Sequence, residues 1–351
     1  MTLVLPNQGL GQAALKRVSQ VITLLDRSIT MEAMQNTIAL LFDFDLTLTD
    51  EYSEDAVFRR YGIDPSAFDS ELRAYNEVLQ NELLAFEAIY SGPTAPNFLK
   101  RVGASREINY INYLFHLIRE GKCRGLSRAI LREEGRNVAL CDGLWDGLYE
   151  LKNHVQRDKK WQRQGIELKF YVVSASLFDL IIGSLGDDVG LFDGIYANEI
   201  LPIEGEDPIH GEIGRHIGPM FDTVKTRVVY QVHKGHAWHV NDRVAYDLRD
   251  VPGGNFIGVG DGFTDTPFLA VIKKKGGKAI GVYAGVNRDE IRKNKEKTEK
   301  LLEMDRVDAV FPADYRRGSP LRRYLETMIE EIAESNTQRL AARRSKILLP
   351  F

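Results

Sequence analysis

Ile38–Ala39–Leu40–Leu41–Phe42–Asp43–Phe44–Asp45–Leu46–Thr47–Leu48–Thr49 opens with an unbroken apolar run and passes directly into alternating polar and apolar residues. A short, continuously apolar run fits a strand buried on both faces, as in a parallel sheet. Other runs end in polar clusters in the same way. Leu168–Lys169–Phe170–Tyr171–Val172–Val173 ends at Ser174, and Phe256–Ile257–Gly258–Val259 ends at Gly260–Asp261. Ala279–Val282 and Ala309–Phe311 read as two more strands. Between them lie helical patterns: Leu144–His154, with Leu144, Leu148 and Leu151 on one face, then Thr264–Ile272 and Leu321–Ile332. Strands alternating with helices predict an α/β domain with a mostly parallel sheet.

Working outward, residues from about 51 to 138 differ. They contain helix-like stretches, including Ser66–Tyr90 and Arg106–Glu120, and no clear strand. Their position after the first strand predicts a helical domain inserted into a loop of the α/β domain. Residues 1–36 read as a helical extension, with Ala14, Val18, Val21, Ile22 and Leu25 at helical spacing. That helix would pack on the main domain or form a homodimer contact. Residues 336–351 form the C-terminal tail, and the basic stretch around Arg339, Arg343, Arg344 and Lys346 reads as a solvated helix end and tail. The expected division is therefore an α/β core over 37–50 and 139–335, with the insertion over 51–138.

The chain of 351 residues carries a net charge of −4, which gives no general attraction to nucleic acid or to an anionic membrane. No apolar run approaches the ~20 residues that span a bilayer. The first residues lack the basic start and apolar block of a signal peptide. Cys123 and Cys141 are the only cysteines and form no CxxC pair, which favours a reducing compartment. A cytoplasmic protein without nucleic-acid or membrane partners is expected.

Open α/β sheets bind ligands at the carboxyl ends of their strands. Asp43 and Asp45 follow the first strand, Ser174 and Ser176 the second, and Asp261 and Asp265 a later one; Lys225 lies between the last two. Carboxylates converging on one crevice repel and require a cation, and an oxygen-rich site suits Mg²⁺. A carboxylate is also a competent nucleophile. A lysine and hydroxyl groups would neutralise and orient a phosphoryl group. These residue types together point to metal-assisted phosphoryl transfer.

The order of these clusters resembles that of the haloacid dehalogenase (HAD) superfamily. Asp43–Phe44–Asp45–Leu46–Thr47 is similar to its first motif, DxDxT. Val172–Val173–Ser174 resembles the second motif, Lys225 the third, and Gly260–Asp261–Gly262–Phe263–Thr264–Asp265 the fourth, GDGxxD. Leu191–Ile200 and His210–Gly214 look like the third strand and following hairpin of phosphoserine phosphatase-like members. The resemblance spans roughly residues 38 to 315. It implies a three-layer core with sheet order 5-4-1-2-3, numbered from the strand that carries Asp43, and a helical cap. It also implies roles. Asp43 would be the nucleophile, forming an aspartyl-phosphate, and Asp45 the general acid and base. Ser174, the backbone of Ala175 and Lys225 would hold the phosphoryl group. Asp43, the Asp45 carbonyl, Asp261 and Asp265 would hold Mg²⁺. Thr47 would shape the loop. The substrate would be a small phosphomonoester, with phosphotransferase, phosphomutase or non-catalytic scaffold as alternatives.

Departures from the phosphoserine phosphatase pattern are also present. Leu46 stands where those proteins have Ser, and Ala175–Ser176 where they have Gly-Gly. Glu51 lies one residue before the place of their substrate-gripping Glu. Glu51, Arg59 and Arg60, with Lys100, Arg101 and Arg106, are the insertion's candidates for substrate contact, although ordinary helix surface explains the basic ones equally. His233, His236 and His239 have a spacing that could bind Zn²⁺, but a loop after the Lys225 helix is the expected reading. Tyr110, Tyr113 and Phe115 are expected in the core of the insertion.

Overall fold

The computed structural model describes residues 35–90 and 106–347. The expected N-terminal helix, Lys100 and Arg101 lie outside the described residues. The sheet has seven strands: β1 (Thr37–Phe42), β2 (Glu167–Leu177), β3 (Gly194–Pro202), β4 (Ile213–Ile217), β5 (Phe256–Gly260), β6 (Lys278–Tyr283) and β7 (Ala309–Pro312), in the order β4-β3-β2-β1-β5-β6-β7. The expected 5-4-1-2-3 core is present as β6-β5-β1-β2-β3. It is extended at one edge by β7 and at the other by β4. All pairings are parallel except that of β4, which folds back on β3 as a hairpin.

The helices are α1 (Glu54–Arg60), α2 (Pro65–Tyr90), α3 (Arg106–Arg119), α4 (Arg128–Gly135), α5 (Leu144–Arg157), α6 (Lys159–Arg163), α7 (Phe178–Leu185), α8 (Asp222–Lys234), α9 (Thr266–Lys274), α10 (Arg288–Glu303) and α11 (Pro320–Ile347). β1 is central, and all of its residues are buried. Because side chains alternate along a strand, β1 serves two cores at once. Ile38, Leu40 and Phe42 pack with Leu148 and Leu151 of α5 and Leu325 and Ile329 of α11. Ala39 and Leu41 pack with Val228 and Val229 of α8, Phe268 and Leu269 of α9 and Leu301 of α10. The three-layer α/β/α arrangement follows from this two-sided burial.

The expected helix end reaches further than the boundary at 336: α11 runs unbroken to Ile347, and its start beyond 336 is packed and not solvated. Asn336, Thr337 and Leu340 are buried and extend the face begun by Ile329, Ile332 and Ala333. Nothing breaks the helix between the two stretches, and inward-facing residues continue at helical spacing.

The chain leaves the sheet after β1 and returns before α5 along paired paths. Thr49 and Leu140 form an antiparallel bridge, flanked by Asp50 N–H to the Ala139 carbonyl (2.9 Å) and Cys141 N–H to the Leu48 carbonyl (3.0 Å). Between these paths, α1 to α3 share an apolar core of Phe58, Phe68, Leu72, Leu114 and Leu117, which is continuous with Leu177, Leu180, Ile200, Ile213 and Phe221 of the α/β layer. Helix α4 lies against α7. Asp179, buried in the first turn of α7, accepts from Arg128 and Arg132 at 2.6 Å each. Gly135 faces the Leu180 carbonyl, and Gly183 faces the Arg132 carbonyl, with no room at either for a Cβ. The two backbones meet because both helices present glycine at the crossing. Gly183→Ala should therefore destabilise the protein by about 2 kcal/mol or more, since the obstacle is backbone that cannot rotate away; the midpoint of chemical denaturation measures it.

Candidate active site

Strand register places the site. Phe42 is level with Val172 on β2 and with Val259 on β5. The next residues therefore emerge together, with Asp43 beside Val173–Ser174 and Gly260–Asp261. The Asp43 N–H still donates to the Val259 carbonyl at 2.9 Å, so the nucleophile candidate is anchored by the sheet itself. Beyond it the chain coils tightly. Phe44, Leu46 and Leu48 turn inward and are buried. Leu46 adopts a left-handed backbone (φ 56°), and its N–H donates to Thr49 Oγ1 at 3.1 Å. The Thr49 hydroxyl is placed to donate to the Phe44 (3.3 Å) or Glu51 (2.7 Å) carbonyl. Thr47 is buried beneath the loop, where its carbonyl accepts from the Tyr315 hydroxyl at 2.8 Å. It lines no part of the cavity described below, in keeping with a loop-shaping residue.

Lys225, on α8, is fully buried and donates to Asp43 Oδ1 at 2.9 Å and to Asp265 Oδ1 at 2.6 Å. The second Asp265 oxygen accepts from the N–H groups of Asp261 (3.1 Å) and Gly262 (3.3 Å), closing the loop after β5 around it. Asp43, Asp261 and Asp265 each bring a carboxylate oxygen within 4.8 Å of the others. The Asp45 carboxylate is not one of that trio and accepts from the Ser53 N–H at 2.9 Å. Ser174 is buried; its Oγ accepts from the Ser176 N–H at 3.0 Å, and Ser176 Oγ shares a 2.5 Å hydrogen bond with Ser53. Asn198 receives the Met220 N–H (2.8 Å) and donates to the Ala175 carbonyl (2.5 Å), so the β2 end is pinned to the approach to α8.

The electrostatics are those of a site with surplus negative charge. Burial raises the carboxyl groups of Asp43 and Asp261, and the neighbouring charges of Asp261 on Asp43 and of Asp265 on Asp261 add to it. Asp265 is pushed up to about 6 by burial and then by Asp43. Asp45 is raised well above the usual carboxylate range, again by burial, then by Glu54 and Asp43. Burial alone would lower the Lys225 ammonium, but Asp265 and Asp43 outweigh it and hold it firmly charged. Three buried all-oxygen donors with unbalanced negative charge suit a hard divalent cation such as Mg²⁺.

Asp43, Asp45, Ser174, Ala175, Ser176, Lys225 and Asp261 line one cavity of about 240 Å³ together with Tyr52, Glu54, Phe68, Tyr110, Phe263, Thr264 and Lys297, while Asp265 lies behind Lys225 and outside the lining. The expected substrate contacts Glu51, Arg59 and Arg60 are not part of it. Glu51 is held in a two-pronged pair with Arg59 (2.8 and 3.0 Å) and accepts from the Ala139 N–H (3.1 Å). Arg60 pairs with Glu133 (3.0 Å) and Glu134 (2.6 Å). Both arginines lie at the C-terminal end of α1, where basic residues complement the helix dipole, and they brace the insertion instead of facing the cavity. Glu54, one turn beyond Glu51, supplies the acid on the cavity wall. Tyr110, placed by its sequence in the insertion's core, does pack there, yet it also borders the cavity. Its buried hydroxyl has no hydrogen-bond partner among the described residues. Lys297, on α10, donates to Asp261 Oδ2 at 2.7 Å and was not anticipated. Nothing distinguishes it in a helix crowded with lysine and glutamate.

The three histidines do not converge. His233 is buried, with Nδ1 donating to the Val251 carbonyl (2.6 Å) and Nε2 accepting from Arg249 (3.1 Å). His236 stacks on Tyr196, and His239 receives the Asn241 N–H on Nδ1. Burial, reinforced by nearby cations, lowers His233 to about 4. The unfolded chain, with an ordinary histidine near 6.5, then binds the extra proton between these values, so stability contributed by neutral His233 is complete above about 6.5 and is lost as pH falls toward 4. Wild-type protein should lose up to about 3 kcal/mol more over that window than His233→Gln, as read from denaturation at each pH.

With the geometry in place, the core is HAD-like in fold: a parallel sheet in that superfamily's strand order, with the DxD loop, the serine, the lysine and the GDGxxD loop gathered at its carboxyl edge. No family model matches the sequence. An uncharacterized protein of Borreliella burgdorferi is 25% identical over 305 residues, covering 84% of this chain and 97% of that protein. Among solved structures, a substrate-bound phosphoserine phosphatase is similar at 16% identity, with a TM-score of 0.46 and coverage of 84% of this chain and 99% of that one. A HAD family hydrolase from Salmonella enterica serovar Typhi is 15% identical (TM-score 0.45, 79% of this chain, 67% of that one). A cytosolic 5′-nucleotidase IIIB bound to cytidine is 17% identical (TM-score 0.42, 91% and 93%).

Proposed function

We propose that this protein is a phosphatase that hydrolyses a small phosphomonoester through an aspartyl-phosphate on Asp43, with Mg²⁺ as cofactor. The observation that carries the reading is the buried Lys225 ammonium bridging Asp43 and Asp265 at the edge of a cavity that also holds Asp45, Ser174 and Asp261. In a merely structural site, such a concentration of buried acid would be destabilising and without use.

In this reading an Asp43 oxygen attacks phosphorus. The phosphorus–ester oxygen bond breaks, its electron pair stays on the leaving oxygen, and that oxygen takes the proton of Asp45. Burial, with the charges of Glu54 and Asp43, raises the Asp45 carboxyl well above the usual carboxylate range, which favours the protonated form that a general acid needs. Water then attacks phosphorus, returns a proton to Asp45, and the bond to Asp43 breaks to free inorganic phosphate. Lys225 and Ser174 would hold the phosphoryl oxygens as charge develops. Asp43, Asp261 and Asp265, with the Asp45 carbonyl expected from the superfamily pattern, would hold the Mg²⁺. When bound, that ion supplies the charge neutralisation that lets an anionic substrate approach an anionic nucleophile. Helices α1 to α3 would act as the cap, excluding water during attack. Reduced, buried Cys123 and Cys141 agree with a cytoplasmic setting.

The leaving group would sit against Glu54, Phe68 and Tyr110. A carboxylate and an unsatisfied phenol favour a leaving group with hydrogen-bond donors or positive charge and oppose one with a second phosphate. Phosphate release from a panel of phosphomonoesters, with Mg²⁺ and with EDTA, tests the reaction. Release should require the metal and fall at least about 1,000-fold in Asp43→Asn; wild-type turnover in that variant would exclude Asp43 as nucleophile. Tyr110→Phe and Glu54→Gln should each lower kcat/KM about tenfold for the preferred substrate. The relative rates of the other panel members should rise.

A further inference from the structure

Lys297 belongs to none of the motifs, yet it is built into the site with care. Its ammonium donates to Asp261 Oδ2 at 2.7 Å, and its side chain is 31% exposed. It passes directly over Gly262, where a Cβ would meet Nζ and Cε, so the glycine leaves open the path by which the lysine reaches Asp261 in this arrangement. The adjacent Thr298 hydroxyl lies 2.9 Å from the Asp261 carbonyl. That hydroxyl has one hydrogen to share among the Asp261, Asn294 (2.9 Å) and Val282 (3.2 Å) carbonyls, so what one turn of α10 holds outright is the side chain of a carboxylate that the functional reading gives to the metal.

We propose that Lys297 is a positioning residue that also competes with the divalent cation for Asp261, keeping metal binding weak and exchangeable. The inference rests on the metal-dependent reading above. Two effects oppose each other. Orienting Asp261 favours the metal, because its carboxylate is already aimed. Placing an ammonium on the same carboxylate disfavours it, because a unit positive charge then faces a double one at close range in a poorly hydrated site. Orientation concerns a single short side chain with two torsions, a small entropy. Charge repulsion across one shared carboxylate in a buried site is larger. The competitive effect therefore wins. In the metal-free protein Lys297 stands in as counter-ion, so the acidic cluster does not spring apart.

Binding of Mn²⁺, followed by loss of the free-ion paramagnetic resonance signal, tests this without reference to turnover. Full-length wild type, Lys297→Met and Lys297→Arg are compared. Lys297→Met should bind Mn²⁺ at least tenfold more tightly than wild type, and Lys297→Arg should stay within about threefold of it. Without metal, Lys297→Met should melt below wild type, since Asp261 has lost its partner, and should gain more from saturating Mg²⁺. Equal or weaker Mn²⁺ binding by Lys297→Met, in a folded variant whose wild-type parent binds the ion, overturns the inference and leaves the functional reading standing. Absence of Mn²⁺ binding by the wild type overturns the metal-dependent reading itself, and this inference with it.

Discussion

The ammonium of Lys225, fully buried between Asp43 and Asp265, is the interaction on which the arrangement of the site depends. It reaches from α8 to the loops after β1 and β5 and ties three separate parts of the chain at one point. Its energetic meaning lies in what it prevents. Removing one member of a buried ion pair leaves a bare charge, which is far more costly than the pair is stabilising. Even with Lys225 in place the carboxylates outnumber the cations, and burial pushes the acids toward protonation. In the function proposed above, a site in this condition would attract a cation and tolerate a phosphoryl group only with one present.

The fold makes this concentration of charge possible because the strain is spread over a rigid frame. β1 is buried on both faces, flanked by parallel neighbours, and level with them at its carboxyl end. The loops that follow β1, β2 and β5 therefore start from fixed points. Each is closed by its own hydrogen bonds: Thr49 in the first, Ser174 with Ser176 and Asn198 in the second, and Asp265 with the Asp261 and Gly262 N–H groups in the third. The insertion is less separate than a cap on a stalk. Its apolar core runs into the α/β layer through Leu177, Leu180 and Phe221, and α4 is locked to α7 by glycine contacts and by Asp179.

Much was legible in the chain because the features concerned are local. An apolar run ending in acid predicts a buried strand delivering a charged side chain, and it did so at Phe42–Asp43 and at Gly260–Asp261. The α/β class and the carboxylates at the strand ends follow from such runs; the central strand order and the place of Lys225 came from the resemblance of the ordered motifs to the HAD superfamily. The hairpin that adds β4 was visible only through the family resemblance, and the continuation of α11 to Ile347 was less legible. Edge pairing and helix length depend on what packs alongside, and that is not a property of the segment itself.

The substrate side shows the same division in one place. Glu51 and Glu54 are both acids in a helical neighbourhood, and resemblance to the phosphoserine phosphatase pattern pointed to the first. Tertiary packing turned Glu51 toward Arg59 and Ala139 and left Glu54 on the cavity wall. Lys297 is chemically identical to its many neighbours on α10 until Gly262, distant in sequence, opens a path to Asp261. The sequence by itself determined which residue types stand at the strand ends, because backbone period and burial are written locally. Only the tertiary structure decided which charged side chains on the helices face the cavity, because the orientation of a helix about its axis is set by partners far away in the chain.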